Sequence, residues 1–217
     1  MIVKLTNDIV EVAISTMGAE LQSIRNVRTN HEYLWQGDKA FWGRRSPVLF
    51  PIVGAVWNGE YRCDGHLFHL GQHGFARDME FSLMENAPED EAWFELEADE
   101  HTLALYPFRF RLEIGYALHA DRLSVMWRVT NKDSQEISFQ IGAHPAFNYP
   151  DFNAEDPIHG YFGFNSRGPL HAEVIAEKGC IGESTAVYTL DDDHLMPITA
   201  DTFSHDARGI IREWFIR

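Results

Sequence analysis

From residue 108 to residue 129 apolar side chains fall on every second position, broken only at Ala120-Asp121. Phe108, Phe110, Leu112, Ile114, Tyr116 and Leu118 share one parity before the break, and Leu123, Val125, Trp127 and Val129 share the other after it. Successive side chains of an extended strand point to opposite faces, so this period of two predicts two antiparallel strands that each bury one face. A third strand is expected after Asn131-Lys132-Asp133, with Ile137, Phe139 and Ile141 on one face. The same reading gives strands from Ile9 to Ser15, ending near Gly18, and from Leu21 to Asn26. Asp64-Gly65 between short apolar runs predicts a tight hairpin within Tyr61–His66. A further hairpin is expected from Met79–Asn86 and Glu91–Ala98, turning around residues 87–90. Helical signal is confined to a short turn from Asp99 to Leu105, which Pro107 ends, and residues 150–168 read as a long loop. The expected fold is therefore all-β, with antiparallel sheets packed face to face.

A chain of 217 residues with 45% hydrophobic content suffices for one large β domain, so residues 1–217 are expected to form a single domain. The formal net charge of −15 leaves no basic stripe for nucleic acid, and it disfavours an anionic membrane surface. Cys63 and Cys180 are too few and too far apart for a disulfide framework, and neither sits in a metal-type pair. The first residues carry no apolar run of signal-peptide length, and no later run is long enough to span a bilayer. A soluble, cytoplasmic protein is the expectation.

Chemistry is best sought among the eleven histidines. His73 lies in Gly71-Gln72-His73-Gly74-Phe75-Ala76-Arg77, where an imidazole and a guanidinium share one short segment flanked by glycine. His144 lies in Gly142-Ala143-His144-Pro145, at the end of an apolar run. The proline behind it favours an extended backbone, so the ring should be held where the chain leaves the sheet. Set against this is the plainer reading of each as a hydrogen-bonded core histidine. His66, His69 and His73 have spacings that suit a metal on a helix, but on a strand His66 and His69 point to opposite faces. There is no Gly-x-Ser-x-Gly elbow and no phosphate-binding glycine loop. Arg44 and Arg45 precede an apolar run and either clamp a hydroxyl-rich or anionic ligand or sit on a solvated strand edge.

Ser46-Pro47-Val48-Leu49-Phe50-Pro51-Ile52-Val53-Gly54, His73-Gly74-Phe75-Ala76-Arg77 and Gly142-Ala143-His144-Pro145-Ala146-Phe147-Asn148 occur here in an order that resembles the aldose 1-epimerase family. Gly18-Ala19-Glu20-Leu21 and Glu32-Tyr33-Leu34-Trp35 fit as well, and the likeness is nearest to the LacX-like branch, close to the hexose-6-phosphate mutarotases. The resemblance implies a galactose mutarotase-like supersandwich with an aldose or aldose phosphate in a cleft. It implies interconversion of α and β anomers by acid–base ring opening, with no cofactor and no metal. By the resemblance His144 matches the general acid and His73 the second histidine near the ring oxygen. Arg77 matches the arginine that meets a phosphate, and Arg45 the other substrate-contacting arginine, with a shift onto Arg44 left open. Asp206 matches the acceptor of a sugar hydroxyl. The general base of the family is a glutamate in a strand beyond residue 217. The chain is thus expected to lack C-terminal strands, which leaves two readings: a mutarotase, or a sugar-binding remnant without that base. An open sheet edge, and a homodimer through it, would follow.

Overall fold

The structure is a computed structural model that describes residues 1–149, 152–164, 168–175 and 177–202. Among these residues the strands are β1 Ile2–Thr6, β2 Val10–Ser15, β3 Leu21–Asn26, β4 Val48–Leu49, β5 Glu60–Cys63, β6 His66–His69, β7 Ser82–Leu83, β8 Glu91–Glu97, β9 Phe110–His119, β10 Arg122–Asn131, β11 Gly142–Ala143, β12 Gly160–Gly163, β13 Leu170–Ile175, β14 Ile181–Tyr188 and β15 Leu195–Ile198. Every ladder between them is antiparallel. One six-residue helix, α1 Glu100–Leu105, interrupts them, capped by Asp99, whose side chain accepts from the Thr102 N–H while the Thr102 hydroxyl accepts from the Asp99 N–H. No described helix is long and apolar enough to cross a membrane.

The chain divides into two compact units, Met1–Asn148 and a second that begins at Tyr149. In the first, β1-β2-β3 form one sheet and β10-β9-β8-β7 another. Their apolar faces meet in one core: Val12 and Ile14 of β2, Phe94 of β8, and Leu112, Ile114 and Tyr116 of β9 are all buried. The phenol of Tyr116 donates to the Ala19 carbonyl at 2.7 Å, which supplies the polar partner its burial demands. In the second unit β12 pairs with β15 and β13 with β14, around a small core of Phe164, Leu170 and Ala172.

The alternation at 108–129 forms β9 and β10 as expected, joined through a two-residue loop in which Ala120 has φ +53°. The Asp64-Gly65 hairpin forms β5 and β6 with Cys63 opposite His66. Two expectations need correction. Residues 134–141 make no strand, although Ile137 and Ile141 pack on the core. Their backbone turns to loops instead: the Gln140 N–H donates to the Pro51 carbonyl at 2.8 Å, and the Ser138 carbonyl accepts from the Tyr106 hydroxyl. Residues 150–168 are not wholly loop, since β12 lies within them.

Candidate active site

Three stretches distant in sequence form the site, and each is fixed by backbone bonds. The chain after β11 runs antiparallel to the segment leading into β4: the His144 N–H donates to the Pro47 carbonyl at 3.1 Å, and the Ala146 N–H to the Arg45 carbonyl at 2.8 Å. On its other side the Trp35 N–H donates to the Ala146 carbonyl and the Asn148 N–H to the Tyr33 carbonyl. His144 thus sits on an extended segment just after β11, held from both sides. Glu20 secures the same place from below. One oxygen of its buried carboxylate accepts the N–H groups of both Arg45 and Ser46, each at 2.9 Å.

The His73 segment is held against residues 50–54. The Phe50 carbonyl, ahead of a cis bond to Pro51, accepts the N–H groups of Phe75 and Ala76. Gly74 lies so close that a Cβ there would collide with that carbonyl oxygen, and its φ is +70°. His73 itself has φ +65°, an uncommon conformation for a residue with a side chain. A reciprocal pair of bonds sustains it: the His73 N–H donates to the Gly54 carbonyl at 2.7 Å, and the Gly54 N–H donates to Nδ1 of His73 at 3.0 Å.

Those bonds decide the state of the ring. Burial first, then the charges of Arg77, His144 and Arg44, push the His73 imidazole down to a pKa of about 4. The ring is neutral at pH 7, Nδ1 is occupied as an acceptor, and its proton therefore resides on Nε2. His73 is a fixed hydrogen-bond donor.

The rings of His73 and His144 lie edge to face with centroids 6.1 Å apart. Residues 71 apart in sequence are so brought together, as the sequence reading requires. His144 is exposed, and Trp42 packs against it at 4.9 Å with a tilt of 37°. Trp42 was not among the expected site residues. Its only sequence signal is an aromatic pair, Phe41-Trp42, between Gly37 and Gly43, with Phe41 82% exposed.

Arg77 stands beside His73. One of its terminal nitrogens donates to the Gln72 carbonyl at 2.7 Å, while its buried Nε has no hydrogen-bond partner and lies 3.7 Å from Asp78. Burial lowers the pKa of the guanidinium. Of the two adjacent arginines, it is Arg44 whose charge reaches His73 and Arg77, and it pairs with Asp78 at 2.7 Å. The Arg45 guanidinium donates instead to the Gln22 carbonyl at 2.6 Å. Asp206 lies outside the described residues. Among the described residues no cluster of three His, Cys, Asp or Glu side chains is placed to hold a metal ion.

An apolar groove of about 690 Å³ lies on the other side of this segment. Ala143 and Pro145 line it together with Leu21, Val48, Val125 and Trp127, whereas His144, between them, faces Trp42 and His73.

A β-sandwich that brings together a histidine in a turn and a histidine just beyond a short strand defines a class, and comparison with known proteins gives it a family. The sequence model described as Aldose 1-epimerase matches residues 1–161, and the chain belongs to that family. It is 35% identical over 214 residues to the chromosomal and plasmid LacX proteins of Lactococcus lactis subsp. lactis, an alignment covering 95% of this chain and 71% of each relative. The crystal structure of a galactose mutarotase related enzyme from Lactobacillus acidophilus superposes with a TM-score of 0.86 at 34% identity, covering 95% of this chain and 68% of that one. A galactose mutarotase-like protein from Lactobacillus casei gives 0.84 at 31% identity, with 95% and 70% covered. The all-β fold expected from the alternation, and the mutarotase-like form of it implied by the family resemblance, are observed.

Proposed function

We propose that this protein binds an aldose, or an aldose phosphate, at His73 and His144 and interconverts its α and β anomers. The carrying observation is the pair of imidazoles 6.1 Å apart between centroids, one of them a fixed neutral donor. Mutarotation requires a proton delivered to the ring oxygen as the C1–O5 bond breaks, and a proton taken from the C1 hydroxyl as the carbonyl forms. Reclosure after rotation about C1–C2 reverses both transfers. In this reading the Nε2–H of His73 holds the ring oxygen, and the exposed His144 supplies and recovers its proton. No described residue is assigned the base. The Trp42 ring, beside His144, offers an apolar face to the C–H side of a sugar. Arg77, a guanidinium whose charge reaches His73, suits a phosphate substituent. Arg44 is better placed than Arg45 to assist it. Asp206 keeps its proposed role as acceptor for a sugar hydroxyl.

Polarimetry on freshly dissolved α-glucose and α-galactose tests this. The protein should accelerate the decay of rotation over buffer, and His144→Gln should remove that acceleration by about 10²–10⁴-fold while the circular dichroism stays native. Saturable sugar binding without acceleration in the unaltered protein would favour the carbohydrate-binding reading. Acceleration that survives in His144→Gln would remove His144 from the mechanism.

A further inference from the structure

Two guanidinium groups stand beside the histidine pair, and one carboxylate meets both. Asp78 closes the short 3₁₀ turn Ala76–Asp78 that follows His73, with its N–H donating to the Phe75 carbonyl at 2.9 Å. From there its Oδ1 accepts from a terminal nitrogen of Arg44 at 2.7 Å, and its Oδ2 lies 3.7 Å from Nε of Arg77. Each oxygen of Asp78 thus faces a different arginine, as two oxygens of a phosphate substituent would. Arg44 and Arg77 are close enough to disfavour each other's charge: Arg44 lowers the pKa of Arg77, while Asp78 and Glu20 raise it.

The two carboxylates differ in what they leave for a ligand. Glu20 is buried, and one of its oxygens already accepts from the N–H groups of Arg45 and Ser46. The Asp78 side chain is 57% exposed. It is the carboxylate that an arriving anion would meet.

We infer that Asp78 determines specificity: by holding both guanidinium groups it turns the site toward free aldoses and away from aldose phosphates. A phosphate dianion must either displace this carboxylate or settle against it, and both courses weaken its binding. An uncharged hydroxymethyl group meets no such repulsion. The inference rests on the reading of the site as a sugar cleft and names the substrate class within it. If Asp78 did no more than tie the His73 turn to Arg44, its removal would loosen charged and uncharged ligands alike.

Isothermal titration calorimetry of the full chain with inorganic phosphate, galactose and galactose 6-phosphate tests this. Asp78→Asn keeps the shape of the side chain and removes its charge. It should bind inorganic phosphate about fivefold more tightly than the wild type, with circular dichroism unchanged. The preference for galactose 6-phosphate over galactose should rise by a similar factor, and Asp78→Glu, which retains the charge, should keep the wild-type preference. Phosphate affinity that is unchanged or weaker in Asp78→Asn, phosphate binding by neither protein, or equal losses for both sugars would overturn the inference. Failure of the proposed activity has a different signature: polarimetry of the wild type would show no acceleration with either sugar, while the phosphate comparison would still read the role of Asp78.

Discussion

His73 shows how a single backbone decision fixes a proton. With φ at +65°, both its N–H and its Nδ1 face Gly54, which leaves Nε2 alone to carry hydrogen toward the site. The consequence is measurable. Unfolded, the ring titrates near 6.5; folded, it titrates near 4. Between these values the unfolded chain binds more protons, so this contribution is complete above pH 6.5 and declines as pH falls toward 4. Solvent screening of a partly buried ring leaves it at about 1–2 kcal/mol. Urea midpoints across that window should fall more steeply for the wild type than for His73→Asn, and parallel curves would show that the ring is not held neutral by the fold. At this scale the sequence was partly legible. Glycine neighbours and a following proline mark His73 and His144 as unusual. Nothing local shows that Arg44, rather than Arg45, would face them, because adjacent side chains of an extended segment diverge and only the Glu20 and Gln22 partners settle which one does.

Among elements, the short ones build the site. The His73 turn docks on residues 50–54 through Gly74, where a side chain would meet the Phe50 carbonyl. Gly74→Ala should therefore cost more than about 2 kcal/mol, combining a left-handed backbone with a backbone collision. Thermal denaturation followed by circular dichroism checks this, and an unchanged midpoint would mean that residues 50–54 can yield. The long hairpins could be read directly: β9 and β10 follow from parity alone, and β5 and β6 from Asp64-Gly65. Residues 137–141 show where such reading stops. Their alternation correctly reports an apolar side, but periodicity cannot name the partner, and these residues lie against loops rather than a strand. Trp42 escaped notice for the same reason, since its meeting with His144 is a tertiary contact across 102 positions of chain.

For the whole molecule, net charge governs how copies meet. A net charge of −15 makes two copies repel. Any self-association should tighten as salt rises from about 0.01 M to about 0.15 M, where the Debye length shrinks from about 30 Å to about 8 Å. Analytical ultracentrifugation at the two ionic strengths tests this, and weaker association at the higher salt would point to an interface made by attraction between opposite charges instead. β7 offers a newcomer only two residues, so a strand added at that margin gains little backbone pairing.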